Sequence, residues 1–508
     1  MRRLFLAFLF LFIASPAVAS TPGQWDVGQQ PITYPLIGPS GIFTEQLGDG
    51  SDPHGGKPPF FANQPADIPS TVTTQVTEGT GIGSTTGTDE FKLRLTLLTS
   101  HVLPDDPLRN HCQRGASHLH EFAGAIASGA CSTFQQLRND CIARHAAGLI
   151  ASTNPGDDVQ CSLYWHPTLI DRNPLGDGVD RIKKVKLIPL YYEIFGATLA
   201  KAATYIDFPL SFGYVNGQNM DDPWDLRIKA AVAAANAANA AAGGPSNAYS
   251  YSGNGFVGWF CNSPAGVQRG PIQNNIDDLD CQAGDTLIGE IDGTGCADGH
   301  NLYSPSGYDH VIPFITVTAA NGTFQDVCPK GWYKIPRLIF KPQWVLHSAI
   351  SSTVANDAPY LSSDSQFQTK ARADASRCIT ATEGSSSATV CAPAGASTFV
   401  CKAGCSFHND YIVAWMRKYL RRAFRHCLAI PWTDNTETGL DADQTTLEGT
   451  ACDSNTLQVG GSGTGSQLNS ANITPAPTDA QVDGDHIEEY YPTPVPKGHM
   501  GPSTMPRQ

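Results

Sequence analysis

The chain is short of charge, short of basic residues in particular, and has no cysteine before Cys112. Only 16% of its 508 residues are Asp, Glu, Lys or Arg, against about 25% in an ordinary soluble domain. That excludes a polyelectrolyte and a charge-driven disordered chain. With 33 basic against 47 acidic residues the net charge is −14. A nucleic-acid partner is disfavoured, because phosphate contacts need a basic surface. Beyond the N-terminal stretch no apolar run approaches the roughly 20 residues that a bilayer span needs. The 14 cysteines lack the paired C-x-x-C spacing of thiolate zinc sites and read first as a disulfide framework. Connectivity stays open, although Cys131 and Cys141, and Cys401 and Cys405, are close in sequence.

What is present is glycine and proline, at 49 and 36 residues, which favour turns and loops over a helix bundle. The first residues, Met1-Arg2-Arg3, an apolar run and Ala17-Val18-Ala19, have the form of a secretory leader cleaved near Ala19. This predicts export and an extracellular location, or the periplasm or outer surface of a bacterium. Residues 20–89 are rich in Gly, Pro, Ser and Thr and read as a flexible lead-in. A single β-rich domain is predicted over 90–440, with insertions near 215–250 and 344–404. Residues 441–508 read as a low-complexity, disordered tail.

The clearest strand is 91–97, where Phe91, Leu93, Leu95 and Leu97 alternate with polar residues. Further strands are read at 185–192, 310–318 and 335–340, with Pro189 and Pro313 at edges or bulges because they donate no amide. Two helices are predicted. One is Ala-rich, over 222–242, with Pro223 at its start and a Gly243-Gly244-Pro245 stop. The other runs from about 410 to 428 and carries five basic residues, Arg417, Lys418, Arg421, Arg422 and Arg425. The fold class is mainly β, an antiparallel sandwich or jelly-roll-like core with peripheral helices and disulfides; α+β is the alternative.

Polar chemistry concentrates in 100–122, which holds His101, Asp105, Asp106, His111, His118 and His120. If 117–122 is extended, His118 and His120 project from one face, because side chains alternate with period two. Two imidazoles so placed suit a divalent ion such as zinc, completed by ligands from elsewhere. They equally suit a metal-free catalytic or sugar-binding site, or structural hydrogen bonding to Asp105 or Asp106. Later candidates are Asp298, His310, and His408 with Asp410, the last read as the start of the basic helix, where the dipole favours a carboxylate.

Seven motifs, taken in order, resemble a secreted family of fungi and bacteria known as the domain of unknown function numbered nineteen ninety-six. They are Ser100-His101 with Asp105-Asp106-Pro107; Gly115, Ser117, His118, His120, Phe122 and Gly124; Tyr164-Trp165 with Pro167; Trp259-Phe260-Cys261; Cys296, Asp298, Gly299, Asn301 and Leu302 with a downstream His310; Cys328-Pro329 and Ile335-Pro336; and His408, Asp410 and Trp415. The resemblance implies a secreted β-rich domain and supplies no reaction. The residues point to a hydrolase or lyase on an extracellular or cell-wall polysaccharide. His118, His120, Asp298, His310, His408 and Asp410 would be its catalytic groups, with a metal on His118, His120 and His310. Tyr164, Trp165 and Trp259 would stack on sugar rings, and His101, Asp105 and Asp106 would support the imidazoles. The alternative is a non-catalytic glycan-binding or wall-associated protein.

Overall fold

A computed structural model describes residues 60–69 and most of 91–430, leaving out short stretches and the longer ones 218–231, 365–377 and 392–401; beyond these it describes strands at 75–78, 452–453, 457–460 and 490–495. The expected leader, most of the expected lead-in and tail, and most of the expected Ala-rich helix lie outside the described residues.

Along the chain come β1 (Phe91–Leu97), β2 (Thr99–Leu103), β3 (His120–Gly124), helix α1 (Phe134–Ala146), β4 (Leu163–Pro167), β5 (Ile188–Ile194) and β6 (Gly213–Gly217). After them come β7 (Phe256–Asn262), β8 (Gln268–Gln273), β9 (Thr286–Asp292), β10 (Arg337–Phe340), β11 (His408–Ile412) and helix α2 (Arg417–Leu428). The alternation read in β1 is real: Leu93, Leu95 and Leu97 are fully buried while Lys92, Arg94 and Thr96 are half-buried. Burying each leucine contributes about 1.5–3 kcal/mol.

The strands form a mainly antiparallel, sandwich-like arrangement of sheets, as the pattern of short strands predicts. The largest sheet has eight strands, in the order β8-β7-β9-β10-β5-β1, then 452–453, with 343–345 paired to β9. A second, five-stranded sheet has the order β2-β3-β4-β11-β6. The chain crosses between them at Leu98, from the end of β1 to the start of β2. Tyr164 of β4 and Tyr411 of β11 each share a 2.7 Å hydrogen bond with Tyr192 of β5, so one face of the five-stranded sheet packs on the large sheet. The opposite face, with Phe122, Leu163, Trp165, Val215 and Ile412, packs under α1 and Leu108 in a second core. That outer face carries the site.

Disulfides staple the fold, most of them within its buried cores. Four are described, Cys112–Cys131, Cys141–Cys161, Cys261–Cys281 and Cys296–Cys328, and Cys405 and Cys427 are also disulfide-bonded. Cys131 and Cys141, neighbours in sequence, take different partners. Loops of this length each contribute about 3 kcal/mol by restricting the unfolded chain.

Several expectations change in detail. Pro189 lies in an interior strand, β5, opposite Thr96 of β1; it takes part only as an acceptor, its carbonyl receiving the Lys341 N–H at 2.9 Å just past the end of β10. Pro313 separates the short strands Val311–Ile312 and Ile315–Thr318, which belong to different sheets. The basic helix begins at Arg417 rather than near Asp410, and residues 408–412 are a strand. The N-terminus of α2 is met instead by Asp67, whose carboxylate accepts the Arg417 N–H at 3.3 Å. Two basic residues of α2, Arg417 and Arg421, are buried, and Arg421 reaches Asp207 at 3.2 Å. Within the expected lead-in, Phe60 and Phe61 join the main core. In the expected tail, Cys452–Asp453 runs parallel to β1. No helix among the described residues is long and apolar enough to cross a membrane.

Candidate metal centre

β3 pairs with β4, and β4 with β11, so His120 and the pair His408 and Asp410 rise from the outer face of strands two apart. At 4.7–4.9 Å per strand their backbones are about 10 Å apart, a gap that two imidazoles can close. His120 Nε2 and His408 Nε2 stand 3.5 Å apart. The Asp410 carboxylate lies beside both, with Oδ2 at 3.8 Å from His120 Nε2 and 3.7 Å from His408 Nε2. His118 precedes β3, and its ring centroid is 4.1 Å from that of His120 and 5.1 Å from that of His408.

Backbone carbonyls fix the tautomers. His120 Nδ1 is 2.8 Å from the Asp105 carbonyl and His408 Nδ1 is 2.8 Å from the Ser406 carbonyl. A carbonyl only accepts, so each Nδ1 carries the proton and each Nε2 presents a lone pair. This is how metal-bound histidines are oriented elsewhere. The two lone pairs face each other and an anionic group, an arrangement that is repulsive until a cation or a proton sits among them.

Asp410 makes the same point. It is fully buried, and neither carboxylate oxygen has a hydrogen-bond partner. Burial, with the Asp106 charge adding to it, pushes its pKa well above the ordinary carboxylate value. Burial holds His120 and His408 down to about 3, and each is lowered further by a neighbouring imidazole, His166 for the first and His120 for the second. Both histidines are therefore neutral at any physiological pH, the state in which imidazole binds metal.

Two donor sets lie within 4.8 Å of mutual contact: His118, His120 and His408; and Asp106, His120 and Asp410. They share His120, whose only available donor is Nε2, and one nitrogen serves one ion. The sets therefore describe one centre, of imidazole nitrogens and carboxylate oxygens without a thiolate. Such donors suit zinc and neighbouring first-row divalent ions. His118 is half-buried, with both ring nitrogens covered; the other four are buried.

The remaining predicted residues fall into place around or away from this centre. Asp105 supports it through its carbonyl, while its carboxylate accepts the N–H groups of Gly115 at 2.8 Å and Ala130 at 3.1 Å. Asp106 Oδ1 caps the turn below it through Leu108 N–H at 2.9 Å and Arg109 N–H at 3.0 Å. His101 stacks on Phe122 at 5.0 Å and bonds Ser100, its pKa lowered by burial to about 4.

His310 and Asp298 are not brought to the centre. His310 packs on Phe212 and bonds Ser304 Oγ, next to Gly213 at one end of β6. His408 pairs with Gly217 at the other end, about 13 Å away at 3.3 Å per residue. Asp298 closes a turn by accepting the N–H groups of His300 and Asn301. The three aromatics offer no face to a sugar either, since Tyr164, Trp165 and Trp259 are fully buried. Tyr164 bonds Tyr192, Trp165 stacks on Phe122, and Trp259 donates to the Gly404 carbonyl at 3.1 Å. The carbonyls of Asp105 and Ser406, which orient the ligands, leave no trace in the residue types and were not legible beforehand.

Fold and site together define a disulfide-stapled β-sandwich protein with a buried His/Asp cluster fit for one divalent ion. Residues 106–415 match the family described as Domain of unknown function (DUF1996). That is 310 of the 508 residues, and the chain belongs to this family. The match encloses His118, His120, His408 and Asp410. No curated protein and no solved structure matches the chain.

Proposed function

We propose that this is an exported metalloprotein that holds one divalent first-row ion on His118, His120, His408 and Asp410, with Asp106 beside them, and acts as a hydrolase or lyase on extracellular or cell-wall polysaccharide. One observation carries the metal: a fully buried carboxylate with no hydrogen bond, facing two imidazole lone pairs whose other nitrogens are tied to carbonyls. The leader-like N-terminus and the disulfides support export. When bound, such an ion supplies Lewis acidity and activates water near neutral pH. His120 and His408 would hold it as neutral donors, Asp410 would balance its charge, and His118, the least buried of the set, would complete the donors.

The test is elemental analysis of protein purified without a His-tag, with melting measured before and after chelation. Near-stoichiometric metal and a lower melting temperature in chelator are expected; no metal and an unchanged melt refute the centre.

A second reading is favoured by the burial of Tyr164, Trp165 and Trp259, which removes the aromatic platform that sugar-processing sites commonly use. The ion would then hold together a non-catalytic glycan-binding or wall-associated module. Product released from wall polysaccharide mixtures by the wild type, and not by His118→Ala or His120→Ala, selects the enzyme. Glycan binding that survives both substitutions, without turnover, selects the module.

A further inference from the structure

The three histidines come from two segments that are 288 residues apart in sequence, counted from His120 to His408. Something must hold these segments in register, and the strand pairing does so only from below. A third segment, 361–364, touches both. Ser362 Oγ donates to the carbonyl of Leu119 at 2.6 Å, between His118 and His120. The Ser362 N–H donates to the Thr168 carbonyl at 2.9 Å, and the Thr168 N–H donates to that same Leu119 carbonyl at 3.0 Å. Two residues on, Asp364 is buried and grips the approach to His408. Its Oδ2 accepts the N–H groups of Leu361 and Gly404, both at 2.8 Å. Its Oδ1 accepts Ser406 Oγ–H at 2.6 Å and Ser406 N–H at 3.2 Å. Ser363 Oγ meets Ser406 Oγ at 2.5 Å.

Ser406 is therefore held through its amide and hydroxyl by Asp364, while its carbonyl receives the His408 Nδ1 proton. Gly404 is fixed from the other side: its φ is +84°, and a Cβ there would stand 2.7 Å from Trp259 Nε1. The peptide that aims His408 has little freedom left.

We propose that 361–364 is the positioning bracket of the metal centre, with Ser362 setting the His118 and His120 segment and Asp364 setting His408. The inference rests on the metal reading above and goes beyond it. It gives the first part of the long 344–404 insertion a task at the site. None of the four bracket residues belongs to the donor set. They act through Leu119 and Ser406.

The experiment is Co²⁺ titration of the full chain, read by ligand-field absorption and by competition with a chromophoric chelator, alongside apo-protein melting. Outer partners of metal ligands typically change affinity by about 10–100-fold when removed. Ser362→Ala and Asp364→Asn are each expected to weaken Co²⁺ binding by that factor and to alter the absorption bands. Ser362→Ala removes a single hydroxyl and decides the matter if Asp364→Asn does not fold. A Ser362→Ala protein with lowered apo melting but wild-type affinity and spectrum overturns the bracket and leaves the metal centre standing. A wild type that binds no Co²⁺ overturns the metal reading, and the bracket with it.

Discussion

Replacing Asp410 with Asn sets two demands on that residue against each other. In a chelator, the wild-type carboxyl is buried with neither oxygen hydrogen-bonded, and its pKa stands well above the ordinary value, chiefly through burial. An unsatisfied buried polar group costs about 1–3 kcal/mol. An amide at the same place offers two N–H donors, one toward each Nε2 lone pair at 3.7 and 3.8 Å, where the protonated carboxyl offers a single O–H. The apo variant is therefore expected to be more stable than wild type by about 1–3 kcal/mol, or roughly 1–2 °C of melting temperature per kcal/mol in a domain of this size. The pH dependence has a definite sign. Above about pH 4 the unfolded chain releases the Asp410 proton while the native state keeps it. Wild-type stability falls as pH rises, by about 1.4 kcal/mol per unit, until the folded pKa is passed. The Asn variant lacks this titration, so its advantage widens over the same window. Added divalent metal works against this advantage: an ion at 100 times its Kd stabilises the wild type by about 2.7 kcal/mol, most of which the variant loses, so the gap between the two narrows. Urea unfolding from pH 4 to 7, in chelator and in Zn²⁺, measures all three effects. A variant less stable than wild type in chelator, with no widening at higher pH, would refute the reasoning.

Three further outcomes follow from the geometry. His310→Gln should leave bound metal unchanged while His120→Gln removes it, read by elemental analysis; equal losses would place His310 at the centre. Trp259→Phe deprives the Gly404 carbonyl of its indole donor at 3.1 Å and should lower unfolding stability by about 1–3 kcal/mol, with retention on insoluble wall polysaccharide unaltered. Gly404→Ala forces a non-glycine residue to φ +84° against Trp259 and should cost at least about 1–3 kcal/mol, measured by urea midpoint.

How far the sequence revealed the molecule depends on where each segment is buried. β1 was legible to the residue because one of its faces is buried and the other partly wet, so polarity alternates. β11 was not, because all five of its residues are buried. With no wet face there is no alternation, and Ile412 and Trp415 then mimic a helical continuation of α2 upstream. The His118 and His120 pairing could be read from period-two spacing, and His408 with Asp410 from its density of ligand-type residues. That His408 joins the pair while His310 does not is a matter of which end of β6 each lies beside, and sequence holds no record of that. The buried aromatics are ambiguous in sequence for a related reason. A sugar platform and a sandwich core both call for Tyr and Trp beside Gly and Pro, and only burial tells them apart.

The five-stranded sheet is buried on both faces, and adjacent residues therefore answer to different layers. Asp410 points to the outer face and the metal centre; Tyr411 points inward, where its ring stacks on Tyr164 at 4.7 Å and its hydroxyl bonds Tyr192 at 2.7 Å. The inner chain Tyr164–Tyr192–Tyr411 is closed by its own hydrogen bonds, and burial pushes the Tyr164 hydroxyl up to about 12, so it stays neutral and structural. The outer cluster is the reverse, with donors satisfied on one side and lone pairs unanswered on the other. Neighbouring substitutions should therefore have opposite signs. Tyr411→Phe leaves the Tyr192 hydroxyl short of a partner and should cost about 1 kcal/mol whether or not metal is present, with Co²⁺ affinity unchanged. Asp410→Asn should stabilise the apo protein and lose the ion. If Tyr411→Phe weakens Co²⁺ binding as much as Asp410→Asn does, the two faces are not independent, and the division of this sheet into a structural and a chemical side fails.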